Sequence, residues 1–259
     1  MGTFLFDKII FGPVKSRRLG VSLGINLLPT GIKVCSFDCI YCECGFTPDK
    51  FDQKANMPGR SEVKQKLEKK LQEMAAEKQL PDVITFAGNG EPTLHRDFAG
   101  IIDDTIELRN KLAPDARIAV LSNATMIHRK PVFDALLKIK DNIQKLDSAF
   151  EETVRLMDCP NGAFNMKRTI EQLVAFKGKV IIQTMFLRGS FKGQKIDNTT
   201  EKEIEAWIKL LQKIKPRQVM IYTIARDTPV ETLEKVPLDQ LEAIAQRVRN
   251  VGFEVQVSG

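Results

Sequence analysis

The sequence predicts an α/β fold, a parallel sheet curled into a partial (β/α)6 TIM-like barrel, and three observations predict it. From residue 60 onward, short β-branched runs alternate with helical patterns at a nearly constant interval, the rhythm that parallel strands with crossover helices require. Most of the runs are continuously apolar, as in Val180, Ile181 and Ile182, which suits strands covered on both faces. The rhythm yields about six units, short of the eight that close a full barrel.

Taken in order, the first strand is expected at 21–27, directly before a cysteine-rich loop. Ser61 can cap a helix whose Val63, Leu67, Leu71 and Met74 share one face. Strands follow at 83–87, 117–121, 145–150, 180–187 and 218–224, with a last one at 253–257, and helical segments at 97–112, 131–138 and 166–176 fill gaps between them. Thr200 with Glu203 reads as a capping box ahead of Ile204, Trp207, Ile208 and Leu211. Leu241, Ile244, Ala245 and Val248 make a further stripe. A single domain over 1–259 is expected, with a basic N-terminal loop at 1–20, a barrel core at 21–225, and a C-terminal helix and strand at 226–259. In such folds the chemistry sits at the carboxyl ends of the strands. The cysteine segment, residues 88–93, the Ser122–Asn123 pair and residues 222–226 all fall at that rim.

The 259 residues carry 39 Lys+Arg against 33 Asp+Glu, a net charge of +6, with 43% hydrophobic residues. That balance excludes disordered and fibrous classes and permits attraction to nucleic acid or to phosphorylated and carboxylated small molecules. No apolar run approaches the roughly 20 residues of a membrane span. Residues 1–11 carry Asp7 and Lys8, which spoils a signal peptide, and Phe6 stands where myristoylation after Gly2 wants Ser or Thr. A soluble, cytoplasmic protein with no membrane partner is expected.

Of five cysteines, Cys35, Cys39, Cys42 and Cys44 fall within ten residues and Cys159 stands apart. Cysteines this close cannot staple a domain, so they point to metal or redox chemistry. Three thiolates at C-x3-C-x2-C spacing can hold an iron-sulfur cube while leaving one of its four irons without a protein ligand. Such an iron can take a cofactor or substrate. The competing site is structural zinc with Cys44 as fourth thiolate, but zinc usually draws its ligands as two separated pairs, and no second pair exists.

The Cys35–Cys39–Tyr41–Cys42 loop after a first strand resembles the signature of radical S-adenosylmethionine (radical SAM) enzymes. Residues 83–93 resemble that family's second-strand Gly-Glu-Pro motif, here Gly90, Glu91 and Pro92, and the six-unit layout is similar to its partial barrel. The resemblance covers residues 20 to 225. It implies that Cys35, Cys39 and Cys42 hold a 4Fe-4S cluster whose fourth iron chelates the amino and carboxylate groups of S-adenosylmethionine. It further implies that Tyr41 packs near the adenine, and that Glu91, with the backbone of Gly88, Asn89 and Gly90, faces the methionyl ammonium. Ser122, Asn123 and Gln183 would hydrogen-bond ribose or carboxylate. A reducing partner such as flavodoxin or ferredoxin is implied as well. The substrate is expected to be an anionic small molecule or a tRNA nucleotide, and no catalytic side chain is assigned.

Plainer readings stand beside these. Residues 88–91 can be a bare turn, although Thr93 stands where a dinucleotide fingerprint needs its third glycine. Cys44 reads as a spare thiolate or a bystander, and Cys159 as a loop thiol near the rim. His95 and His128 read as surface or capping groups, Tyr222 as core and Arg226 as solvated. Lys15, Arg17 and Arg18 form either an anion site or a solvated basic loop. Two other classes remain open: a non-catalytic RNA-binding module stabilised by zinc or an iron-sulfur cluster, and a simple electron carrier.

Overall fold

The computed structural model describes residues 4–16, 18–48 and 57–259. Gly2 and Arg17 lie outside the described residues.

The expected α/β half-barrel is present. An eight-stranded sheet curls with its strands in the order β1 (Ile10–Ser16), β2 (Gly20–Ile25), β3 (Val83–Phe86), β4 (Arg117–Ser122), β5 (Asp141–Lys145), β6 (Ile181–Met185), β9 (Gln218–Tyr222) and β11 (Val255–Ser258). From β2 to β11 every neighbour is parallel. The first pair, β1 with β2, is antiparallel. The crossovers carry α1 (Arg60–Ala76), α2 (Phe98–Leu112), α3 (Lys130–Leu137), α4 (Glu151–Met157), α5 (Met166–Ala175), α6 (Glu201–Ile214) and α7 (Leu238–Asn250). A small second sheet orders β10 (Leu233–Lys235), β7 (Leu187–Phe191) and β8 (Gln194–Asp197).

The helices bury the stripes that predicted them, including Val63, Leu67, Leu71 and Met74 on α1 and Leu241, Ile244, Ala245 and Val248 on α7. Trp207 meets Phe186 edge to face at 5.3 Å. Inside the curl, Leu19, Val83, Ala119, Ile143, Ile181 and Met220 form a separate apolar layer. The β1–β2 turn and strands β3, β4, β5, β6 and β9 each give one residue to this layer, a packed interior like that of a closed barrel.

Several expectations are corrected. The N-terminal stretch placed in a basic loop contains strand β1, paired with β2 through a tight turn. The strand expected at 145–150 is β5, ending at Lys145. Its polar start hid it: Asp141 is clamped by Arg117 and Arg217 at 2.6 Å each, and Gln144 donates to Asn142 at 2.6 Å within the sheet. The run at 180–187 breaks at Phe186, and the chain continues into the second sheet as β7. Ser61 lies inside α1, whose N-cap is Gly59. Thr200 does cap α6 by accepting from the Glu203 amide. The Glu203 carboxylate instead accepts from Ser148 and Thr153, 2.6 Å each, so the reciprocal half of the box is absent. His95 is buried rather than at the surface, its Nε2 donating to the Pro58 carbonyl at 2.9 Å, although it does serve as a cap, its amide closing the turn at Pro92–Leu94.

Candidate active site at the carboxyl rim

The loops after β2, β3 and β4 converge on the ends of β5, β6 and β9, around a cavity of about 160 Å³. Backbone lacing fixes the cysteine loop from both sides. Val34 donates to the Asn89 carbonyl at 2.8 Å and Glu91 donates back to the Val34 carbonyl at 3.1 Å. On the far side Asp38 and Ile40 donate to the carbonyls of Cys159 and Met157, at 3.0 and 2.9 Å. Gly90 has φ of +132°, and a Cβ there would strike the Val34 carbonyl. The close approach this glycine permits is therefore to the chain's own cysteine loop.

Cys35, Cys39 and Cys42 all line the cavity. Burial pushes the Cys35 thiol up to about 12, and it also drives Cys39 well upward. Cys42 is drawn down to about 6, first by a hydrogen bond from Cys44 and then, against burial, by the Lys33 charge. Lys33 is 2% exposed. Its ammonium donates to the Gly45 carbonyl at 2.7 Å and to Asp38 at 3.2 Å. Burial works against that charge, but the neighbouring Cys42, Cys35 and Cys39, with Asp38, outweigh it and raise the Lys33 pKa.

Glu91 is buried at the cavity wall and accepts from the Asn123 amide at 2.6 Å, from the Thr93 amide at 3.0 Å and from the Thr93 hydroxyl. Burial raises its pKa against those donors. Ser122 and Asn123 also line the cavity. The Asn123 carboxamide donates to Ser36 at 2.9 Å and points at Cys35 Sγ, 3.6 Å away, so it braces the cysteine loop. Tyr41 lines the cavity too. Its hydroxyl bonds to Asp147, to Lys145 and, at 3.2 Å, to Asp158. Burial and the neighbouring Asp147 push Asp158 up to about 8, with Lys145 opposing.

Gly88, Gly90 and Gln183 line the cavity as expected of them. Asn89 does not. Its side chain turns the other way, accepting from the Phe6 amide at 2.8 Å and donating to the carbonyls of Phe6 and Pro29 at 3.0 and 2.9 Å. It braces the N-terminal segment, a consequence of the extended chain sending successive side chains to opposite faces. Cys44 Sγ lies 3.4 Å from the Gly88 carbonyl. Cys159 packs beside the cysteine loop, and Arg226 pairs with Glu43 at 2.6 Å.

Sequence reasoning gave no role to Lys33 or Lys145 and set Tyr222 aside, yet all three line the cavity. The signal for Lys145 was available, a lysine two residues before an aspartate at a strand's carboxyl end. A larger cleft of about 750 Å³ runs along α1, but its Lys66 and Lys70 are paired with Glu62 and Glu73. It gathers no thiol and no buried ionisable cluster.

A parallel half-barrel whose rim brings three cysteines, a glycine–glutamate turn and a strand-end Ser–Asn pair to one cavity marks a radical-enzyme scaffold. The sequence matches the radical SAM superfamily over residues 31–194, and the chain belongs to it. It is 32% identical over 233 residues to the UPF0026 protein MJ1312 of Methanocaldococcus jannaschii, covering 88% of this chain and 67% of that one. A Brachyspira hyodysenteriae protein named GTPase Obg is 30% identical over 258 residues, 98% of this chain but 35% of its own length. In fold the chain is similar to Streptococcus suis SuiB bound to S-adenosylmethionine, with a TM-score of 0.63 at 15% identity, covering 91% of this chain and 50% of SuiB. It thus spans about a third of the Brachyspira protein and half of SuiB. Among the described residues no helix is long and apolar enough to cross a membrane.

Proposed function

We propose that the chain acts as one domain that carries a 4Fe-4S cluster on Cys35, Cys39 and Cys42, binds S-adenosylmethionine beside it, and abstracts hydrogen from an anionic substrate. The observation that carries this reading is the convergence of three thiols and Glu91 on one cavity. The donor set fits a cluster better than a lone ion. Among the described residues no three Cys, His, Asp or Glu side chains converge where one ion would sit, as tetrahedral zinc needs with sulfurs about 2.3 Å away. A cube takes each thiolate on a different iron. Bound and reduced, the cluster would pass one electron to the sulfonium of S-adenosylmethionine, releasing methionine and a 5′-deoxyadenosyl radical.

The chain's own residues hold and screen that site. Lys33 supplies a buried positive charge to a trio of thiolates. Glu91 fixes the Asn123 backbone and leaves its wall of the cavity anionic, suited to the methionyl ammonium. Gly88 and Gly90 keep that wall free of side chains, while Ser122 offers hydrogen bonds to ribose or carboxylate. Tyr41 is held in place by Asp147, Asp158 and Lys145, which fixes its ring for packing against adenine. Phe37 and Leu121 narrow the cavity and limit access of water to a reactive radical. A small reducing protein of the flavodoxin or ferredoxin kind would supply electrons. A small-molecule substrate is favoured over tRNA, because the basic groups nearest the site are buried or paired. Binding of tRNA would instead weaken steeply with salt.

Anaerobic reconstitution with iron and sulfide, reduction, and addition of S-adenosylmethionine should yield 5′-deoxyadenosine. An intact, reducible cluster that gives none would overturn the proposal.

A further inference from the structure

Two side-chain nitrogens near the proposed cofactor wall have no hydrogen-bond partner among the described residues. Arg18 sits in the turn between β1 and β2, and Gln256 of β11 donates to its carbonyl at 2.9 Å. This turn therefore bridges the two edges of the open sheet. The Arg18 guanidinium lies 4.6 Å over the ring of Tyr222, and its Nη1 is buried without a hydrogen-bond partner. No carboxylate pairs with it among the described residues. Gln183, on the neighbouring strand β6, likewise has its Nε2 buried and unpartnered. Gln183, Tyr222 and Lys145 line the same cavity as the cysteines. The carboxylates closest to hand, Asp147 and Asp158, are taken up by Lys145, at 3.1 and 3.6 Å, and by Tyr41.

Buried donors without acceptors are rare in folded proteins because each has given up its water for nothing. Of the two here, one lies over the ring of Tyr222 and the other lines the cavity that this ring also lines, and together they mark the position of an acceptor supplied from outside. We propose that Arg18, over the Tyr222 ring, and Gln183, on the neighbouring strand, form the seat for a carboxylate of the substrate. This inference rests on the proposed function and names the substrate's anionic group. A guanidinium fork and a carboxamide N–H match the two oxygens of a carboxylate. One uncompensated guanidinium balances one negative charge, whereas a phosphate dianion would leave charge buried and unpaired. The seat also moves Gln183 from the cofactor to the substrate side of the cavity.

The test uses the cluster-loaded protein with S-adenosylmethionine bound, and propionate and its neutral analogue propionamide as probes, with affinities read by ligand-observed NMR. Propionate should bind at least about tenfold more tightly than propionamide, and Arg18→Gln should erase that preference. Gln183→Glu, which puts a like charge in the seat without touching the turn, should abolish propionate binding, so the proposal stays testable if Arg18→Gln fails to fold. Equal affinities for the two probes, or propionate binding unchanged in Gln183→Glu, would overturn the seat. The two proposals fail separately. Formation of 5′-deoxyadenosine without a propionate preference removes only the seat, and a propionate preference without 5′-deoxyadenosine removes only the radical reaction.

Discussion

Cys39 and Cys44 lie five residues apart, yet only the first lines the cavity, while the second packs against the Gly88 carbonyl. Cys39→Ala should therefore abolish cluster assembly, and Cys44→Ala should leave iron content nearly unchanged. Equal iron loss in the two variants would contradict the ligand assignment. Lys33 places a cation among thiolates, so Lys33→Met should lower the reduction potential of the cluster, because the reduced, more negative state loses its nearest counter-charge. Potentiometric titration reads the shift, and an unchanged or higher potential would contradict that role. Glu91→Gln keeps the shape of the side chain but removes its charge. It should weaken S-adenosylmethionine binding about tenfold at unchanged iron content, as measured by equilibrium binding. The cysteines and Glu91 were legible because each belongs to a short, spaced motif. Lys33 and Lys145 were not, because an isolated lysine in a sequence reads as surface until the fold shows what buries it.

The contact between α1 and α2 illustrates how an element is held. Arg60 grips Asp104 with two bonds of 2.7 and 3.0 Å. The hydrogen bond from Arg60, reinforced by its charge and that of Lys64, lowers the Asp104 pKa despite burial. A carboxylate with a lowered folded pKa adds stability that is present above its unfolded value and is lost as pH falls through the folded one. Asp104→Asn should cost about 1 kcal/mol at neutral pH, discounted for the half-exposed arginine. The gap between wild type and variant should close as pH drops below about 4, and urea unfolding at several pH values checks this. Thr200→Ala should cost about 1 kcal/mol through the lost cap of α6. Helices were readable from their apolar stripes, but α4 is too short to show a period. The strands β7 and β8 and the early start of β5 were hidden by polar residues that only tertiary partners such as Arg117, Arg217 and Asn198 satisfy.

At the scale of the whole molecule the sheet remains open, and two devices hold its curl. The turn carrying Arg18 and Leu19 spans the seam, with Gln256 on the Arg18 carbonyl and Leu19 in the lumen layer. At the base, Asp141 of β5 is bonded by Arg117 of β4 and by Arg217 at the entry to β9. Asp141→Asn should cost about 2 kcal/mol, less than a fully buried pair because both arginines are a third exposed. The parallel run of strands followed from the apolar rhythm of the sequence, which reads as about six units where seven strands run parallel. The seam did not, because β1 carries its exposed face outward and reads as a loop. The site forms only when that curl brings loops more than eighty residues apart onto one cavity. The most direct test is electron paramagnetic resonance of the reduced, anaerobically reconstituted protein before and after S-adenosylmethionine is added. A three-cysteine cluster with an open iron should give a reduced 4Fe-4S signal whose g-values shift on addition. A signal that stays the same with cofactor in excess would show that the fourth iron is closed to it, and the account would fail.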